Sequence, residues 1–126
     1  MPTENSTLQI SIIGIGSDEG LVQVLVFNGP EGFPDKPAKT IKNLSAPIKD
    51  AVSNLSVKGL KPGRYAVAVF HDHDGDGKMR TGLFGIPKDA YGFSNNARST
   101  FSAPSFESAA FEVGNNNVNI SIDLAK

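Results

Sequence analysis

"RYAVAVFHD", residues 64–72, decides the fold. Its β-branched and aromatic residues and its shortness mark it as a strand. Tyr65, Val67 and Val69 fall on one face and Ala66, Ala68 and Phe70 on the other, because successive strand side chains point to opposite sides. A strand of a simple two-layer sandwich has one wet face. This one is apolar on both, so two layers must cover it. The inner cover is a second sheet. The outer cover is expected from residues 82–106, which carry Phe84, Tyr91, Phe93, Phe101 and Phe106, half of the chain's ten aromatics. That segment is expected to fold back over the sheet as a lid.

The flanking sequence supplies the other strands. "TLQISIIG" (7–14) and "LVQVLVFN" (21–28) read as strands joined by "IGSDEG". "DAVSNLSVK" (50–58) places Ala51, Ser53, Leu55 and Val57 on one face. Pro62 then Gly63 suits the centre of a type II turn, with glycine taking the positive φ. At the end, Val118, Ile120, Ile122 and Leu124 alternate with Asn119, Ser121 and Asp123. With "SAAFEV" (108–113) and a "GNNN" turn they read as a hairpin. The proline-rich stretch 28–40 calls for no regular structure. About seven short strands with Gly/Pro turns predict an all-β fold, an antiparallel β-sandwich with a long aromatic-rich insertion at about 72–106. A small barrel is the competing reading. Residues 1–126 read as one domain, with 1–6 flexible.

Composition narrows the function. The chain has 126 residues, 39% hydrophobic and 20% charged, with a net charge of −1 from 12 basic and 13 acidic residues. Nucleic acid is excluded as a partner, since no basic excess or stripe is present. The absence of cysteine excludes thiol catalysis, thiolate metal sites and disulfides. No apolar run approaches the ~20 residues of a membrane span. "MPTENSTLQ" is polar and lacks the apolar core of a signal peptide, which leaves the compartment open.

The strand of 64–72 runs into "HDHDGDGKMRTG" (71–82). Aligned on a calcium loop, Asp72, Asp74 and Asp76 take positions 1, 3 and 5, Gly77 the sharp turn at 6, and Lys78 the backbone-carbonyl position 7. Arg80 at position 9 and Leu83 at position 12 do not fit, and the preceding element is a strand. The loop is therefore a half-site rather than an EF-hand. Asp89, Glu107 or a backbone carbonyl would have to complete it for calcium as cofactor. The competing reading is a shaped turn without metal. His71 is expected to end the strand as a hydrogen-bonded group, and His73 to lie on the loop. "GFSNNAR" (92–98), with Tyr91 before it, offers Asn95, Asn96 and Arg98 beside aromatic rings, as a sugar or peptide carboxylate would need. The alternative is that the asparagines satisfy loop backbone. No "GxSxG", phosphate-binding glycine loop or "HExxH" occurs, so an enzyme is not expected.

The motifs Pro62–Gly63, His71–Asp72, Asp74–Gly77, Phe84–Pro87, Gly92–Asn96 and Pro104–Phe106 together resemble a bacterial family, domain of unknown function 2141, over roughly residues 8–124. The resemblance implies a sandwich similar to transthyretin-like (prealbumin-like) and carboxypeptidase-regulatory-like domains. It also implies export, and so a periplasmic or secreted location. Members often carry Asn where this chain has Asp74 and Asp76, and the family has no agreed activity. The related hydroxyisourate hydrolase branch is marked by a C-terminal Tyr-Arg-Gly-Ser, whereas this chain ends "DLAK". Three roles follow as expectations: a non-catalytic extracytoplasmic module with a candidate calcium site, a carbohydrate- or peptide-binding module using the 91–106 loop, or a subunit of a cell-surface assembly. In the last, residues 7–14 or 118–124 would offer a sheet edge to a surface protein.

Overall fold

A computed structural model describes residues 6–16, 18–33, 36–72, 91–97, 104–114 and 116–124. The described residues form eight strands, one short α-helix and two 3₁₀ turns (Pro37–Lys39 and Ser94–Asn96): β1 Ser6–Ile13, β2 Leu21–Phe27, β3 Lys42–Pro47, β4 Ser53–Leu60, β5 Gly63–Asp72, β6 Tyr91–Phe93, α1 Phe106–Ala109, β7 Phe111–Val113 and β8 Val118–Asp123. They make two sheets. The first has the order β4-β1-β8; the second runs β3-β2-β5-β6, with β7 also on β5. β6 pairs with Ala68–Phe70 and β7 with Gly63–Tyr65, so the two short strands share one edge of β5.

The inner core lies between the sheets. Leu8, Ile10 and Ile12 of β1 and Ile122 of β8 meet Val22, Val24 and Val26 of β2 and Val67 and Val69 of β5. All nine are 2% exposed or less, as the period-two alternation requires. The sandwich reading holds. β1 pairs antiparallel with β4 but parallel with β8, so the first sheet is mixed.

Four local expectations change. The segments 108–113 and 118–124 do not form a hairpin: β7 joins β5 in one sheet and β8 joins β1 in the other. Alternation fixes which face of a strand is buried, not which strand lies beside it. Gly114 and Asn117 are held to β1, where Ser6 Oγ donates to Gly114 O at 2.8 Å and Thr7 N to Asn117 Oδ1 at 2.9 Å. Ser6 thus already belongs to β1, inside the stretch expected to be flexible. Because β1 is the central strand of its sheet, residues 7–14 offer no edge, and only 118–124 does. Gly63 lies in β5 without a positive φ; the left-handed residue nearby is Gly59, at φ 79°. Gly59 sits where β4 slips against β1, with Leu8 opposite Val57 but Ser6 opposite Leu60. That is a bulge, which favours glycine.

The outer face of the second sheet is also covered. Leu25 and Phe27 of β2 and Ala66 and Ala68 of β5 pack under Phe93, Ala97, Phe106 and Ala109. Side chains from the expected lid thus cover this face, but 91–93 does so as β6, an edge strand of the sheet itself rather than a segment laid over it. Phe33, from the stretch 28–40, joins them edge-on to Phe27 at 5.3 Å and Phe106 at 6.0 Å between ring centroids. Small alanines on β5 leave the depth that these rings fill.

Candidate functional site

The acidic loop begins where β2 starts and β5 ends. Leu21 pairs with Asp72 and Val22 with His71. His71 shares the inward parity of Val67 and Val69 and is buried. Its Nε2 lies 2.6 Å from the carbonyl oxygen of Glu19. A carbonyl only accepts, so Nε2 carries the proton and donates. His71 ends the strand as a hydrogen-bonded group, and Nε2 is committed to backbone.

Asp72 has the outward parity of Ala66, Ala68 and Phe70, and is 0% exposed. Its Oδ2 accepts a bond from Gln23 Nε2 at 2.8 Å, and Gln23 Oε1 accepts one from Ser45 Oγ at 2.6 Å. Ser45 stands opposite Gln23 on β3, and Asp72 lies one diagonal step away on β5. A relay therefore crosses three strands. The serine hydroxyl orients the glutamine amide, whose NH₂ then faces the carboxylate. Burying an unpartnered carboxylate is costly, and a neutral amide donor offsets part of that cost.

The loop before β2 is fastened at the same end. Asp50 and Ala51 both hold a left-handed backbone, at φ 56° and 63°. Their N–H groups point together, and Asp18 accepts both: Asp50 N to Oδ2 at 3.1 Å and Ala51 N to Oδ1 at 2.7 Å. Asp18 thereby ties the β1–β2 loop to the turn between β3 and β4.

Of the sequence-derived metal ligands, Asp72 is placed as described; Asp74, Asp76 and Lys78, with His73 and Asp89, lie outside the described residues. Glu107 is at the opposite end of β5. It meets Arg64 at 3.0 Å, and Arg64 precedes Asp72 by eight residues of one strand, about 26 Å at ~3.3 Å per residue. It does not complete a site at Asp72. Among the described residues no three His, Asp or Glu side chains converge as a metal site.

Of the candidate ligand-binding residues, Arg98 lies outside the described residues. Tyr91 is half-buried against Phe93, with ring centroids 5.7 Å apart. Asn95 and Asn96 take positive φ values of 61° and 48°, which asparagine tolerates better than most residues. Asn95 Nδ2 donates to the carbonyls of Ala110 at 2.8 Å and Ser108 at 3.3 Å. Asn96 Oδ1 accepts from Asp123 N at 3.0 Å, reaching across to the edge of β8. Both amides serve backbone. Beside them, Ser94 is 0% exposed. Its Oγ accepts from Val67 N at 2.9 Å and donates to Ala109 O. It links β5 to α1 across the lid.

Sequence reasoning singled out neither Ser94, Gln23, Ser45 nor Asp18. Gln23 gave one signal: a lone amide inside "LVQVLVF" must find partners if buried. Nothing local marks the other three.

The family model described as "Uncharacterized protein conserved in bacteria (DUF2141)" matches residues 10–121. No curated protein and no solved structure matches the chain.

Proposed function

We propose, for a chain that belongs to the uncharacterized bacterial family DUF2141, the role of a non-catalytic, extracytoplasmic binding and structural module whose DHDGDG loop takes calcium. The observation that carries this reading is the placement of Asp72. It is wholly buried at the last position of β5, with one oxygen held by Gln23. The first residue of the calcium-loop pattern is thus set in a fixed orientation by a rigid sheet rather than by a loop. Asp74 and Asp76 follow at alternate positions. Three carboxylates within five residues repel one another unless a cation sits between them. Calcium would neutralise them and order the start of the lid.

The buried polar residues of the second sheet and its cover suit structure better than catalysis. His71 Nε2 is bound to a carbonyl, and the buried Ser94 hydroxyl is used twice by backbone. A location outside the cytoplasm is what the family resemblance implies. A half-site of this kind belongs with extracellular modules, at a Kd of ~10⁻⁴–10⁻³ M. Among the described residues no helix is long and apolar enough to cross a membrane.

Calorimetry tests this reading. At ten times Kd, calcium stabilises the folded state by about 1.4 kcal/mol through mass action. The melting temperature should rise by roughly 3–8 °C. Magnesium should not reproduce the rise, and Asp74→Ala should abolish it. An unchanged melting temperature in millimolar calcium defeats the reading.

A further inference from the structure

Two bonds fix which backbone groups β8 turns away from its sheet. A strand residue points its N–H and C=O to the same side, and successive residues alternate. Leu124 N donates to Ile13 O of β1 at 2.9 Å, whereas Asp123 N donates away from β1, to Asn96 Oδ1 at 3.0 Å. Even-numbered residues of β8 therefore bond β1, and Asn119, Ser121 and Asp123 turn their backbone outward. Asn96 fills the slot at Asp123. The outward N–H and C=O of Asn119 and Ser121 meet no partner among the described residues.

The other sheet edges are guarded. β3 begins at Lys42 and ends at Pro47. β4 carries Lys58 and the bulge at Gly59. β6 and β7 span three residues each, and Ser94 Oγ takes the Val67 N–H between them. Charge, proline, bulges and shortness are the devices that keep an edge from pairing. Residues 118–121, "VNIS", have none of these, and their register with β1 runs unbroken. Val118 and Ile120 face the core yet stay partly exposed, whereas Ile122, beneath Gly92, is 0% exposed.

We propose that β8 pairs antiparallel with β8 of a second copy of this chain, across a two-fold axis at Ile120. The shape of the open stretch selects that occupant. It starts at Val118, where the strand begins, and stops at Asp123, where Asn96 stands. Its outward residues, Asn119 and Ser121, are symmetric about Ile120. Under the two-fold, Asn119 meets Ser121 of the copy, and Ser121 meets the copy's Asn119. Each such pair exchanges both N–H···O=C bonds, so every outward group of the stretch is satisfied at once. Shifting the register one step either way brings the copy onto Asp123, already bonded by Asn96, or off the start of the strand. On the core side Ile120 meets Ile120 of the copy and Val118 meets the copy's Ile122, which covers the two half-exposed side chains. On the outer side Asn119 lies beside Ser121, and no like charges meet. The paired sheet has the order β4-β1-β8-β8-β1-β4. Asp72 takes no part, so this inference does not rest on calcium.

Sedimentation of the full chain without calcium provides the test. Backbone bonds with a small apolar contact make a transient interface, with a Kd of about 10⁻⁴ M. The mass should climb from monomer at about 10 μM toward dimer at about 1 mM, where about four fifths of the chains are paired at that Kd. Over the same range hydrogen exchange at the Asn119 and Ser121 amides should slow about fivefold, while Ile10 does not change. Ser121→Pro removes an outward N–H and no bond to β1, a position that tolerates proline, and should keep the chain monomeric. Ile120→Cys gives the chain its one thiol. Its Cα would lie about 4.5 Å from that of the copy, within disulfide reach. Under mild oxidation Ile120→Cys should cross-link about tenfold faster than Lys58→Cys on the guarded β4 edge. Melting curves confirm that the variants fold, and should Ser121→Pro fail to do so, the two cysteine variants decide. Three outcomes overturn the proposal: a monomer throughout the concentration range, association that Ser121→Pro retains, or cross-linking at equal rates. The first would leave the edge to a strand of another protein.

Discussion

The two faces of β5 are closed by different means. On the inner face Val67 and Val69 meet side chains of an opposing sheet, whose central strand β1 is paired on both sides. On the outer face Ala66 and Ala68 meet short strands, turns and one helical turn. Such segments bring unpaired N–H and C=O groups with them. The outer layer therefore depends on polar side chains placed as keystones: Ser94 between Val67 and Ala109, Asn95 on Ala110, and Asn96 on Asp123. Shape and hydrophobicity close a sheet against a sheet, whereas a loop laid on a sheet also needs its backbone satisfied.

The strongest way to break that contrast is Ser94→Ala. It removes one oxygen but strands two buried backbone groups, Val67 N–H and Ala109 C=O. Each buried orphan costs about 1–3 kcal/mol, so the loss should be roughly 2–4 kcal/mol in urea unfolding. Ser121→Ala, a serine-to-alanine change on the wet face, should stay within about 0.5 kcal/mol. Hydrogen exchange at Val67 should accelerate in the first variant, while Ile10 stays protected. Equal effects at Ser94 and Ser121 would remove the keystone role.

The same contrast explains what could be read from sequence. The inner core was legible because Leu8, Ile10, Ile12 and Val118, Ile120, Ile122 announce their buried face by alternation. The need for an outer cover was legible because "YAVAVF" is apolar on both sides. β3 was not, since "KNLSAP" has one partly buried and one buried apolar side chain, Leu44 and Ala46. β6 and β7 span three residues each, too few for a period to show. The site divides in the same way. His71 and Asp72 could be placed at a strand end. The Ser45–Gln23 relay and the Asp18 clasp could not, because a polar residue's type does not name a partner 22 or 32 positions away.

Gly92 sharpens the comparison, because it is where the lid touches the inner core. Tyr91 and Phe93 face outward, so Gly92 points inward. A Cβ there would sit 2.9 Å from both Ile122 Cγ2 and Leu124 Cδ2. Leu124 Cδ2 is the tip of a flexible side chain and can turn away, whereas Ile122 Cγ2 sits on a β-branched carbon and gives less. Overpacking of this kind costs about 1–3 kcal/mol. Leu124→Ala in the same chain removes the clashing Cδ2 and should recover part of the loss, although Leu124→Ala alone destabilises. Coupling of that sign in a double-mutant cycle shows that lid and inner core are one cooperative unit. Strict additivity would separate them.

The smallest effect has the opposite sign and concerns the turn that carries the chain from β3 in the second sheet to β4 in the first. Ala51 holds φ at 63°, a conformation that costs an L-residue with a Cβ roughly 1–2 kcal/mol. Asp18 offsets part of that by accepting the Ala51 N–H at 2.7 Å. This turn is a keystone joint like those of the lid, but here an aspartate holds a strained backbone in place. Ala51→Gly relieves the strain and keeps the N–H. Against this, glycine adds freedom to the unfolded chain, about 0.4–1 kcal/mol. The net expectation is stabilisation by up to about 1 kcal/mol, read as a rise of a few degrees in melting temperature. Asp18→Ala should then cost less in the Ala51→Gly background than in the native chain, because the glycine turn needs no clasp to hold its φ. An equal cost in both backgrounds would mean that Asp18 acts only as a hydrogen-bond acceptor and does not hold the strained turn.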